Sequence, residues 1–198
     1  ILPSVVGGSN RALRYLQQTL GAQAVPIAAQ SYESPLLTNS AGKEPLARLA
    51  ITYPLGLKIP EYQEEYLIRD PITVGSDGSI TCAAEIPEGS EVRLMIGSKE
   101  KAIEAAEDAA RHLMQEFQTD GTKPKFILMF NCIAREKLFG QKANDEIQAV
   151  MEIVGHDVPL LGFYTYGEQA PLGGEVRNIE KCDPRFYNET MVMFGVGE

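Results

Sequence analysis

The longest rhythm of hydrophobic and polar positions in this chain is helical. Ile103, Ala106, Ala110, Leu113 and Phe117 recur every three or four residues, with Glu100, Glu104, Glu107 and Arg111 away from them. A helix is therefore predicted from Ser98, a natural N-cap, to about Gln118, with Asp120-Gly121 ending it. A second is predicted over 141–154, where Ala143, Ile147, Val150, Met151 and Val154 form the apolar stripe and Gly155 is the stop. Residues 9–21 carry Leu13, Leu16 and Leu20 at the same spacing ahead of Gly21, and predict a third helix.

The strand signals are shorter. Residues 126–130 (Phe-Ile-Leu-Met-Phe) and 158–166 (Val-Pro-Leu-Leu-Gly-Phe-Tyr-Thr-Tyr) are nearly continuous in apolar residues, the pattern of strands covered on both faces. A helix between two such strands predicts a parallel crossover whose exits share one edge of the sheet. That edge would bring Asn131, Cys132 and Arg135, in a loop over 131–140, near Tyr164, Tyr166 and Glu168. Open α/β sheets bind ligands at such edges.

Upstream, 46–52 reads as a strand stopped by Pro54, and Tyr66, Leu67 and Ile68 form another ahead of Pro71. Strands at 72–74 and 80–84 face each other across Ser76-Asp77-Gly78-Ser79, and Pro87-Glu88-Gly89-Ser90 turns the chain into a strand at 92–96. Residues 62–97 thus read as an antiparallel meander, and 189–196 as a closing central strand. Pro171-Leu172-Gly173-Gly174 reads as a loop. No period is visible over 22–45, which is a functional segment, a linker, or a piece whose partner lies upstream. The order predicts an α/β or α+β fold: a mixed sheet with hairpins and a βαβ crossover, helices packed on it. The expected division is 1–45, a helix and irregular segment, and 46–198, the main domain.

Charge narrows the partners. Eighteen basic and twenty-seven acidic residues give a formal net charge of −9, which repels nucleic acid and anionic membrane surfaces. No apolar run approaches the roughly 20 residues that a bilayer needs. Cys82, Cys132 and Cys182 are widely spaced and odd in number, which suits a reduced, cytoplasmic setting. The chain opens on Ile1 rather than Met, as a piece of a longer protein would.

Nucleophile-elbow, phosphate-loop, dinucleotide and zinc-protease signatures are all missing, so a binding module is expected rather than an enzyme. His112 and His156 read as boundary and surface residues, with no ligand-like spacing. Asn188-Glu189-Thr190 matches a glycosylation acceptor, an accident in a cytoplasmic chain. Cys132 is either a structural thiol or one activated by Arg135, and in the second case the weakest of the function readings, a cysteine-dependent enzyme with Cys132 as nucleophile, stays open. Arg135 and Glu168 could grip the two ends of a zwitterion, or pair with each other. Tyr164 and Tyr166 alternate along a strand, so they wall a pocket or fill the core.

Taken together, Tyr53-Pro54-Leu55-Gly56, Tyr66-Leu67-Ile68-Arg69-Asp70, Ile86-Pro87-Glu88-Gly89-Ser90, the 130–135 Phe-Asn-Cys-Ile-Ala-Arg with Leu138-Phe139-Gly140, the 158–168 strand through Gly167-Glu168, and Asn188-Glu189-Thr190 resemble the C-terminal half of the FIST sensory domain, over roughly 12–198. Ala134 stands where that family often has Gly, and Tyr187 where a histidine is common, which weakens a haem or metal site of the kind possible in some relatives. The resemblance implies a cytoplasmic sensor of signal transduction for small molecules such as amino acids, without a cofactor. It implies as partners an upstream FIST N-terminal domain and a signalling output domain or protein. F-box relatives use the same domain to recruit proteins. By motif it marks Cys132, Arg135, Gly140, Tyr164, Gly167, Glu168 and Asn188, to which the edge argument adds Asn131 and Tyr166. In the resulting sensor Arg135 takes a carboxylate, Glu168 or Asn188 an amine or polar group, and the two tyrosines form the wall.

Overall fold

A computed structural model describes residues 4–7 and 46–198, apart from 60–65, 75–76 and 172–183. The helix expected at 9–21, the aperiodic 22–45, Cys182 and most of the 171–174 loop lie outside the described residues. The elements are β1 (Ser4–Gly7), α1 (Leu46–Thr52), β2 (Leu55–Lys58), β3 (Tyr66–Arg69), β4 (Pro71–Val74), β5 (Ile80–Cys82), β6 (Val92–Leu94), α2 (Lys99–Thr119), β7 (Pro124–Cys132), α3 (Ile133–Phe139), α4 (Ala143–Val154), β8 (Leu160–Thr165), β9 (Glu168–Pro171), β10 (Pro184–Tyr187) and β11 (Met191–Gly197). The fold is α+β.

The main sheet has the order β1-β11-β7-β8. β7 and β8 run parallel, with Phe130 beside Phe163, Asn131 beside Tyr164 and Cys132 beside Thr165. The predicted crossover is therefore present and its two exits share a rim. β11 lies between β1 and β7, antiparallel to both, as the closing central strand. Strand alternation divides the sheet's side chains between two faces. Ile127, Met129, Met191 and Met193 face α2 and α4, where they are buried with Ala106, Ala110, Leu113, Phe117, Val150 and Val154. Phe130 and Val192 face the other way, into a second cluster with Leu57, Leu67, Ala170 and Tyr187.

α2 follows the predicted helix closely: Ser98 accepts a hydrogen bond from the Lys101 amide at 3.2 Å, and Asp120 caps the end. Gly155 follows α4 at φ 95, a conformation that suits glycine, and its amide closes on Met151. The β4–β5 hairpin and the turns at Gly78 (φ 83) and Gly89 (φ 79) form as expected.

Four expectations are corrected. Residues 46–52 are helical, not a strand: Ala47, Arg48, Leu49 and Ala50 are strong helix formers, and seven residues are too few for periodicity to decide. The loop expected over 131–140 contains α3, closed by Gly140 at φ 58. The meander is broken, because β2, which carried no clear pattern, sits between β3 and β6, leaving β4–β5 as a separate hairpin. β8 is not covered on both faces; Leu161 is 61% and Phe163 56% exposed.

Candidate functional site

The rim where β7 and β8 end carries most of the predicted site residues, and the sheet separates them into two groups. On the helix side, the Asn131 side chain leaves β7 toward α4 and donates from Nδ2 to Glu146 Oε2 at 2.7 Å. Arg135, on the first turn of α3, donates from Nε to Glu146 Oε1 at 2.8 Å and from Nη2 to the same carboxylate. Its Nη2 also donates to the Ala102 carbonyl at 2.7 Å, and Nη1 donates to the Glu189 carbonyl at 3.3 Å. Four of the five guanidinium N–H groups are thus taken by protein acceptors, in a setting where Arg135 is 5% and Glu146 1% exposed. The cleft touching Arg135 also meets Lys101 and Glu189 and holds only about 50 Å³.

On the opposite side lies a larger cavity of about 380 Å³, lined by Phe130, Thr165, Gly167, Glu168, Gln169, Val192 and Phe194. Among the described residues of this lining Glu168 is the charged one, and it is almost wholly buried. Thr165 donates its hydroxyl to Glu168 Oε1, and Thr190 donates to Oε2 at 2.7 Å. Burial raises the Glu168 carboxyl above the usual carboxylate range, against the lowering effect of these hydrogen bonds. The walls are aromatic and aliphatic, and Phe130 meets Phe163 edge to face at 5.2 Å between centroids. Gly167 is required by close approach: a Cβ there would fall 2.1 Å from Cζ of Phe186 on β10.

The remaining predicted residues occupy other places. Cys132 is buried among Ile51 and Ala134, and its thiol is pushed up to about 12, first by burial and then by Glu168. Activation of this thiol by Arg135 is therefore corrected: the guanidinium is committed to Glu146, and desolvation dominates. Arg135 and Glu168 do not pair with each other either, since each has its own partners. Asn188 is buried and accepts from the Asp70 amide at 3.3 Å, so its side chain belongs to the interior and not to a glycosylation site. Gly140 is exposed at the end of α3. Tyr164 lies on the helix side at the sheet edge, and Tyr166, beyond the strand, is 86% exposed. The tyrosines do not line the larger cavity.

Glu146 was not anticipated, although its place three residues after Ala143 and four before Val150 put a carboxylate on the apolar stripe of α4. Thr165, Thr190 and Gln169 carried no such signal, because β9 and the turn before β11 are defined by pairing rather than by period. Next to this turn, Glu189 adopts φ 57, unusual for a residue with a side chain, and buries its carboxyl beside that of Asp70. Burial, and then the Asp70 carboxyl beside it, raise the Glu189 carboxyl well above the usual range.

Residues 12–171 match the model of the FIST C domain. The chain belongs to the FIST C family. No curated protein and no solved structure matches it. The FIST C domain is associated with sensory signal transduction, and both sides of the rim, from Asn131 through Glu168, fall within the matched span. Among the described residues, no three His, Cys, Asp or Glu side chains gather as a metal site, and no helix is long and apolar enough to cross a membrane.

Proposed function

We propose that this FIST C domain is a small-molecule sensor whose ligand occupies the cavity beside Glu168, and that the Arg135–Glu146 pair is the framework holding the rim in shape. The observation carrying this reading is the cavity itself: about 380 Å³ with apolar walls and one buried, hydrogen-bonded carboxyl. Binding pockets have that size and composition. Occupancy would shift the population of rim conformations and so inform an upstream FIST N-terminal domain or an output protein. A binding role rather than thiol chemistry is supported by the buried thiol of Cys132, which is pushed up to about 12.

A thermal-shift screen of small metabolites, run on the protein and on Gln169→Trp, tests the reading. Gln169 is exposed at the cavity wall, so an indole there blocks the space without disturbing the core. Saturation at about 100 times Kd adds about 2.7 kcal/mol, or roughly 5–10 °C in a domain of this size. Hits that vanish in the blocked variant support the sensor. Hits that persist there, or a screen without hits, refute it.

A second reading rests on β8. Leu161 and Phe163 are exposed along a strand at the sheet's edge, a surface on which a partner strand could add. Protein recruitment through this edge predicts that Phe163→Lys abolishes capture of a partner and leaves small-molecule binding intact.

A further inference from the structure

We infer that the ligand of this cavity is a cationic amine with an apolar body, held by Glu168, and not a free amino acid. This deepens the sensor reading and rests on it. The argument is one of charge inventory. Among the described lining residues Glu168 is the charged group; the rest are Phe130, Val192 and Phe194, the Gly167 backbone, and the neutral Thr165 and Gln169. Among these described residues a ligand carboxylate would therefore meet no cation. Arg135, the guanidinium suited to that task, is committed to Glu146 and lines a separate small cleft, from which its charge reaches Glu168 only through space.

The carboxyl has the opposite preference. It is held from two directions by the Thr165 and Thr190 hydroxyls, which fix its orientation at the cavity wall. Those donors are neutral, so among the described residues the buried carboxyl has no cation as a hydrogen-bond partner. An ammonium donating to Glu168 would supply one and make the stronger, charge-assisted type of bond. A formal net charge of −9 favours the approach of a cation. The apolar walls then accommodate an aliphatic or aromatic body.

The test is a series of probes that share a phenyl body and differ in charge. Phenethylamine, phenethyl alcohol, 3-phenylpropionate and phenylalanine are titrated against the protein by calorimetry, with Gln169→Trp as the blocked control. Phenethylamine is expected to bind about tenfold or more tighter than the alcohol, which is the size of one charge-assisted hydrogen bond over a neutral one. The propionate is expected not to bind, and phenylalanine to bind more weakly than the amine. Glu168→Gln should remove the preference of amine over alcohol while the alcohol still binds. Should Glu168→Gln fail to fold, the ranking on the unaltered protein decides alone. Equal binding of all four, or preference for the propionate or phenylalanine, overturns the inference but leaves a ligand-binding cavity. Absence of binding by any probe, when the metabolite screen has found cavity ligands, overturns the inference alone; absence in both overturns the sensor as well.

Discussion

Removing the Arg135 guanidinium decides whether that residue is framework or reserved for a ligand. Arg135→Met keeps the length of the side chain but leaves Glu146, 1% exposed, with only the Asn131 amide as donor among the described residues. It also strips the Ala102 and Glu189 carbonyls of the donors they share. Breaking a buried ion pair from one side costs about 3–5 kcal/mol, because the partner charge remains without compensation. At about 2–4 °C per kcal/mol for a domain of this size, the melting temperature should fall by about 6–20 °C. The pair as a whole is less costly to replace: in Arg135→Met/Glu146→Leu no charge is left buried, so the double variant should lose about 2–3 kcal/mol less than the two single variants summed. Urea unfolding of the four proteins measures every corner of the cycle. An arginine kept ready for a ligand would behave otherwise, since deleting an unpaired buried cation leaves stability unchanged or higher. A loss below about 1 kcal/mol for Arg135→Met, or strict additivity in the double variant, would refute the framework role.

Two further outcomes follow from the same rim. Glu189 has a folded-state value well above 4.5, so between those two values the native protein retains a proton that the unfolded chain has released. Its contribution is complete below about pH 4.5 and declines as pH rises toward the raised value, and Glu168 acts in the same direction. Glu189→Gln should therefore flatten the loss of stability as pH rises above about 4.5 in urea titrations, and an unchanged slope would sink this account. Gly167→Ala drives a methyl into the Phe186 ring and should cost about 1–3 kcal/mol, most of it recovered in Gly167→Ala/Phe186→Leu; a neutral single variant in thermal melts would contradict the close approach.

The long-range order of the main sheet was legible because its signals are redundant. An amphipathic helix of 21 residues, a second of 12, and apolar runs at β7 and β11 leave few ways to assemble other than a parallel crossover with a closing strand. The short elements were not legible, for reasons that differ. α1 is too short for its period to separate helix from strand, and tertiary packing of Ala50 and Ile51 decides. α3 begins at Cys132, which makes no side-chain capping bond, so the usual start signal is missing although Gly140 marks the end. β2 is recognisable only from its neighbours: it pairs on one side with β3 and on the other with β6, relations that local composition does not encode.

The candidate site was legible as a place but not as an arrangement. Placing Asn131 and Cys132 at one rim with Glu168 required only that β7 and β8 be parallel. Which residues share a cavity there depends on a parity that a linear reading did not apply across the sheet. Asn131 lies in register with Tyr164 on the helix side, whereas Cys132 and Thr165, one residue on, belong to the other face. That single step sends Asn131 and Arg135 to Glu146 and leaves Glu168 with Thr165 and Thr190. A pocket gripping both ends of a zwitterion would need both sides of the sheet at once. The separation of the guanidinium from the carboxyl therefore weighs more for ligand chemistry than the presence of either, and favours a ligand that carries only the positive end.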